Sequence, residues 1–215
     1  MKAQPDSGVE DERTHIFYLG NGGVKSNENH AEISLISTVD GTLLGNIDVP
    51  AGQVKAMVID KAKNRLYVNF RDRNEIGIID LGTRKLIATW TVPGPSRNSA
   101  MEFDPATNRL FIGSRNPGKL FVFDTNHGTL VQTLDIVETS DEIIFDARHR
   151  RLYVAGSNGL DVIRQIDRDH YSIEQHVDTL GGKTAIFIPS LDRLYVVHTK
   201  SASAKEAGLQ VFSVQ

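Results

Sequence analysis

Short apolar runs recur along this chain at regular intervals, and none carries a sustained 3.6-residue period. The clearest marker is an Arg-Leu-aromatic triplet: Arg65-Leu66-Tyr67, Arg109-Leu110-Phe111, Arg151-Leu152-Tyr153 and Arg193-Leu194-Tyr195, with copies about 42 to 44 residues apart. Ahead of each triplet lies an apolar segment, at residues 56–59, 100–103, 143–145 and 185–188, the first three closed by Asp60, Asp104 or Asp146. After each comes a loop and a further apolar segment, at 76–79, 120–123, 160–163 and 209–212. A degenerate first copy has His15-Ile16-Phe17-Tyr18 in the triplet's place and 33–36 as its next segment. Its longer step implies an insertion over residues 24–32.

These runs are rich in Val, Ile, Leu, Tyr and Phe and are bounded by Asp, Asn, Gly and Pro, which reads as strands joined by turns. In the best-formed unit the strands are expected at 56–59, 66–69, 76–79 and 86–92. Four antiparallel strands recurring every ~40 to 45 residues predict an all-β fold, a β-propeller of four-stranded blades with five repeats visible. A sheet that is apolar on both faces must stack on copies of itself, so blade stacking supplies the core. The units are expected at about 15–50, 51–94, 95–138, 139–180 and 181–215, one propeller domain behind a polar tail at 1–14. Met57, Met101 and Trp90 read as packing residues in that scheme.

Composition changes this picture mainly by exclusion. The 215 residues are 40% hydrophobic and 24% charged, with a formal net charge of −3, so no strong basic field favours nucleic acid. The absence of cysteine removes disulfides, thiolate nucleophiles and Cys-ligated metals together. No apolar run approaches the ~20 residues of a membrane-spanning helix, and residues 1–14 show no apolar export signal.

Several strings carry a resemblance. Asn64-Arg65-Leu66-Tyr67-Val68-Asn69, Asp104-Pro105-Ala106-Thr107-Asn108-Arg109-Leu110-Phe111 and Arg150-Arg151-Leu152-Tyr153-Val154 closely resemble the YVTN-repeat, YncE-like β-propellers. Val122-Phe123-Asp124-Thr125 and Pro189-Ser190-Leu191-Asp192-Arg193-Leu194-Tyr195 extend the likeness across residues 15–215. The resemblance implies a periplasmic or cell-surface location and a binding role without a shared catalytic motif. That family usually has about seven blades, so the five units imply either a shortened or partial seven-bladed ring or a true five-bladed one.

The seven histidines form no HExxH or similar spacing, and no P-loop, nucleophile elbow or dinucleotide fingerprint is present. Gly20-Asn21-Gly22-Gly23 follows a strand but opens no helix, so it reads as a loop. No cofactor or metal is expected. In a propeller the loops between second and third strands, and those leading into each next blade, converge on one face. Lys55, Ser99, Asp141 and Lys183 hold equivalent positions there, five residues before the end of each first strand. Arg97, Asn98 and Glu142 lie beside them, and Arg71, Arg73, Arg115, Asn116, His198 and Lys200 occupy the neighbouring loops. The set is basic, with Asp72, Asp141 and Glu142 opposing it, which suits a small anionic ligand or an acidic protein partner. The leading expectation is a non-enzymatic binding module. A propeller enzyme of lactonase or hydrolase type, using Asp141 and Glu142, and nucleic-acid binding through the basic loops are the alternatives.

Overall fold

The computed structural model describes residues 4–22, 30–94, 96–201 and 204–214, and the chain divides into two compact units, Met1–Asn98 and Ser99–Gln215. In unit one, β1 (Pro5–Asp11), β2 (Ile16–Asn21), β3 (Ala31–Ser37) and β4 (Leu43–Val49) form one antiparallel sheet in sequence order. The second sheet joins β5 (Val54–Asp60), β6 (Arg65–Phe70), β7 (Glu75–Asp80) and β8 (Lys85–Thr91). Unit two continues with β9 (Asn98–Asp104), β10 (Arg109–Ser114), β11 (Lys119–Asp124) and β12 (Thr129–Asp135). A fourth sheet contains β13 (Glu142–Asp146), β14 (Arg151–Gly156), β15 (Gly159–Gln165) and β16 (Tyr171–Val177). The fifth has three strands, β17 (Thr184–Ile188), β18 (Arg193–His198) and β19 (Gly208–Ser213), with a short 3-10 turn at Pro189–Leu191.

The repeated residues have repeated jobs. Leu66, Leu110 and Leu152 are fully buried, and each contributes about 1.5–3 kcal/mol relative to an exposed position. In the first four sheets the Asp that closes the first strand is also buried, where its carboxylate organises the turn that follows; β17 ends at Ile188 instead. Asp60 Oδ1 accepts the Ala62 and Lys63 N–H groups at 3.1 and 3.0 Å, and Asp146 Oδ1 accepts those of Arg148 and His149 at 3.1 Å. A left-handed residue then returns the chain into the second strand: Asn64 (φ 54°), Asn108 (φ 56°) and Arg150 (φ 55°). The triplet's aromatic ring reports on the same carboxylate. In the second and fourth sheets it is tyrosine and the hydroxyl reaches the Asp, 3.4 Å for Tyr67 to Asp60 and 3.1 Å for Tyr153 to Asp146. Phe111 has no hydroxyl, and Thr107 and Gln165 donate to Asp104 instead.

Each unit has its own apolar packing. In unit one, Ile33, Leu35, Ile47 and Val49 pack with Val54, Met57, Leu66 and Val68 of the neighbouring sheet. In unit two, Phe111, Leu120 and Val122 pack with Ile143, Leu152, Val154 and Tyr171. Met57 and Met101 are buried, and Trp90 lies 5.5 Å from the Tyr67 ring, in the packing roles expected of them.

One expectation needs correction. Residues 5–11, part of the expected polar tail, form β1, which pairs antiparallel with β2. Its sequence, PDSGVED, offers Val9 as its one aliphatic side chain, and that side chain packs against the unit-one core. Asp11 closes this strand as Asp60 closes β5, accepting the Arg13 N–H at 3.1 Å before His15 turns left-handed (φ 55°). Of the insertion expected at 24–32, residues 24–29 lie outside the described residues, while Ala31 and Glu32 open β3.

Candidate functional site

An antiparallel meander brings its second-to-third loop and the exit of its fourth strand to the same end of the sheet. Side chains tie these two loop sets together. In unit one, Asp72 accepts the Gly52 and Gln53 N–H groups at 2.9 and 3.0 Å, and Asn74 Oδ1 accepts that of Arg97 at 2.9 Å. In unit two, Asn158 accepts the Glu138 N–H at 2.7 Å, and Ser140 Oγ donates to the Ser114 carbonyl at 3.0 Å. Loop backbone that would otherwise need water is thereby fixed, so side chains at this end project from a held frame.

Unit one uses most of its candidate residues structurally. Lys55 pairs with Asp6 of β1, and Arg73 Nε donates to Glu75 at 3.0 Å. The Arg71 N–H donates to the Gln53 carbonyl at 2.9 Å, and the residue is buried. Asn98 is fully buried, its amide donating to Asn69 Oδ1 at 2.6 Å and to the Glu75 carbonyl at 3.1 Å. Arg97 keeps an exposed side chain on a left-handed backbone (φ 49°).

Unit two gathers a charged cluster. Asp141 accepts from Arg115 through one oxygen and lies 3.0 Å from Lys183 Nζ through the other. One carboxylate therefore holds two cations from two different loops. The Arg115 Nε is shielded from solvent and has no acceptor among the described residues. Next in sequence, Glu142 opens β13 half-buried; loss of solvent raises its carboxyl to about 7, with the Asp141 and Glu102 charges adding to the shift. Glu102, in β9, is raised chiefly by burial, partly offset by hydrogen bonds from the Phe103 and Phe145 N–H groups.

Some expected members do not join. His198 is the last residue of β18 rather than an open loop residue, and it is 8% exposed. Its ring covers Gly208, where an added Cβ would meet Nε2 at 2.7 Å. Asn116 and Lys200 are exposed, and Ser99 is buried within β9. The reading of the sequence missed Glu102 and Asp6. An acidic residue inside the apolar run Ala100-Met101-Glu102-Phe103 was the available signal for the first; Asp6 had none, because its strand was not recognised.

A separate group in unit one offers three possible metal-ligand atoms. His30, Glu32 and Asp48 place them within 4.8 Å of one another, with His30 Nε2 3.3 Å from Asp48 Oδ1. The His30 and Asp48 side chains are 55% and 74% exposed, a geometry that an ordinary surface ion pair also produces.

No protein-family model and no curated protein matches this sequence. Solved structures do. Hydrazine synthase of Kuenenia stuttgartiensis aligns with 90% of this chain at a TM-score of 0.72 and 12% identity, covering 55% of its own length. A candidate 6-phosphogluconolactonase of Bacteroides uniformis aligns with 97% of this chain and 67% of its own, at a TM-score of 0.76 and 14% identity. A chain of a mitotic checkpoint complex gives 98%, 61%, 0.73 and 13% for the same quantities. These sheets are β-propeller blades. The propeller assignment extends to fold alone at such identities, and the chain spans roughly half to two thirds of the length of these structures. Among the described residues no helix is long and apolar enough to cross a membrane.

Proposed function

We propose that this chain is a YVTN-repeat, YncE-like propeller that serves as a non-enzymatic binding module, taking a small anionic ligand or the acidic surface of a protein partner at the Arg115–Asp141–Lys183 cluster. The observation that carries this reading is the sharing of Asp141 by two cations. Arg115 and Lys183 together supply more donors than one carboxylate accepts, and Glu142, near its midpoint at neutral pH, adds less than a full negative charge. An incoming carboxylate or phosphate completes the unmet half of the pairing. The family resemblance supports export to the periplasm or cell surface.

The test is a titration of a fluorescent hexaglutamate peptide at two salt concentrations. Lys183→Glu and Arg115→Glu should each weaken binding about tenfold or more, with wild-type affinity falling as salt rises. Lys85→Glu, at the other end of its own sheet, should leave affinity unchanged. Equal losses in all three variants would reduce the effect to net charge and end the proposal.

A second reading, hydrolysis, rests on Glu142 alone, a carboxyl poised near neutrality beside a second carboxyl, as acid–base chemistry requires. Glu142→Gln should then abolish turnover of a lactone substrate while hexaglutamate affinity is kept or raised. Wild type without lactone turnover disposes of this alternative.

A further inference from the structure

His30-Ala31-Glu32 leads into β3, and the two-residue period of a strand places His30 and Glu32 on one face of the sheet. Glu32 stands directly opposite Asp48 of β4 on one side and Asn21 of β2 on the other, so the three form a row across the strands. Two carboxylates facing each other across a ladder repel, and among the described residues no lysine or arginine pairs with either.

The row has a second unsettled member. Asn21 is 3% exposed, and its Oδ1 has no donor among the described residues. Its amide nitrogen donates to Ser34 Oγ at 2.6 Å, and Ser34 Oγ in turn donates to Asn46 Oδ1 at 2.8 Å. That chain of donors fixes which way the amide faces: with Nδ2 turned to Ser34, two residues further along β3, Oδ1 lies on the other side, toward Glu32 and His30. A buried carbonyl oxygen without a donor costs free energy that a cation beside it would recover.

The spacing suits a metal. His30 Nε2 and Asp48 Oδ1 are 3.3 Å apart, and the possible ligand atoms of His30, Glu32 and Asp48 all lie within 4.8 Å of one another. Zinc bonds of about 2.0–2.2 Å set the ligand atoms of a tetrahedron roughly 3.3–3.6 Å apart. The first pair already has that separation, and rotation of the Glu32 side chain brings in the third ligand. The exposed pair of His170 with Asp167 has no third ligating side chain within such reach among the described residues.

We propose that His30, Glu32, Asp48 and Asn21 Oδ1 form a site for one divalent transition-metal cation of the zinc class, joining β2, β3 and β4. The two carboxylates balance its charge, and the imidazole nitrogen selects it over magnesium and calcium, which take oxygen ligands. Four protein donors fill a tetrahedral sphere, so the ion's role is structural, a clamp across three strands. The site belongs wholly to unit one and uses none of the residues proposed to take an anion.

Zinc titrated calorimetrically into the whole protein, in a buffer that does not bind metal, should show saturable binding of one ion per chain. His30→Ala, Glu32→Gln and Asp48→Asn should each weaken it about tenfold or more, and Asn21→Ala about threefold or more. His170→Ala, which removes an ordinary exposed pair, should leave affinity unchanged. In wild type, where no folding defect enters, zinc should move the ring nitrogen resonances of His30 and leave those of His170 in place, and an equal concentration of magnesium should not reverse the shift. Four results would each overturn the proposal: no saturable binding, a loss in His170→Ala equal to that in His30→Ala, wild-type affinity in both Glu32→Gln and Asn21→Ala, or a His30 resonance unmoved by zinc.

Discussion

Arg109 Nη1 lies 3.1 Å from Asp124 Oδ1, and the two residues stand directly opposite each other where β10 and β11 meet their turns. The guanidinium is 3% exposed and also donates to Asp169 and to the Thr107 and Asn108 carbonyls, so its charge is met on several sides. Arg65 likewise faces Asp80, whereas Arg151 faces Arg164, with Glu174 taking both cations, and Arg193 faces Ser213. Removing Arg109 takes the closest cation from Asp124, which keeps the Asn126 N–H, His127 and the more distant Arg168, and leaves Asp169 without its arginine. Arg109→Ala should therefore cost about 3 kcal/mol in urea unfolding, while Arg109→Met combined with Asp124→Leu should recover at least half of it. A double variant as unstable as the single one would show that packing, and not the charge pairing, sets the cost.

Glu142 gives the stability a pH dependence. Its carboxyl is raised from 4.5 to about 7 by burial first and by the Asp141 and Glu102 charges second, so folding favours the protonated form. The stability this group contributes is complete below about pH 4.5 and is lost as pH rises through 7. Glu142→Gln, always neutral, should raise stability at pH 8 by about 1 kcal/mol, a figure reduced for solvent screening of a half-buried group. The gain should vanish at pH 4.5. A stability difference independent of pH between these limits would assign the effect to packing.

What the sequence made legible was the part of the fold held by side chains in the core. Leu66, Leu110 and Leu152 repeat because each fills the same buried position, and Asp60, Asp104 and Asp146 repeat because each organises the same turn. β1 escaped because it is held largely by its backbone ladder to β2 and by the Asp6–Lys55 ion pair, neither of which leaves a hydrophobic period. The loop candidates were found by position, but position does not tell which cation meets which carboxylate. Lys55 turned to Asp6 and Arg73 to Glu75, whereas Arg115 and Lys183 met on Asp141. The burial of His198 depended on Gly208, ten residues away, leaving room for its ring.

Asp141 restrains the two cations that the proposed ligand must reach. Asp141→Asn keeps the side-chain shape but removes the charge that competes with an incoming anion. Hexaglutamate affinity should rise about threefold or more in this variant, with a steeper loss on adding salt. Binding abolished by the same change would mean that Asp141 orients Arg115 and Lys183 for the ligand rather than competing with it.

The turn aspartates make the last expectation. Asp146 is 3% exposed, and its Oδ1 accepts two backbone N–H groups while Oδ2 meets the Tyr153 hydroxyl and the His149 ring. In Asp146→Ala all four donors lose their acceptor at once, and buried donors cost more when abandoned than they contributed when paired. A loss of about 2–3 kcal/mol is expected from urea unfolding at pH 7, with an unchanged dependence on denaturant. Asp146→Asn retains an oxygen for the two turn N–H groups but presents an amide nitrogen to Tyr153 and His149, so it should lose roughly half as much. Tyr153→Phe removes a single donor and should cost about 1 kcal/mol. The ordering Ala, then Asn, then Phe is the test: an Asn variant as unstable as Ala would show that the carboxylate's charge, and not its acceptance of the turn N–H groups, holds the hairpin.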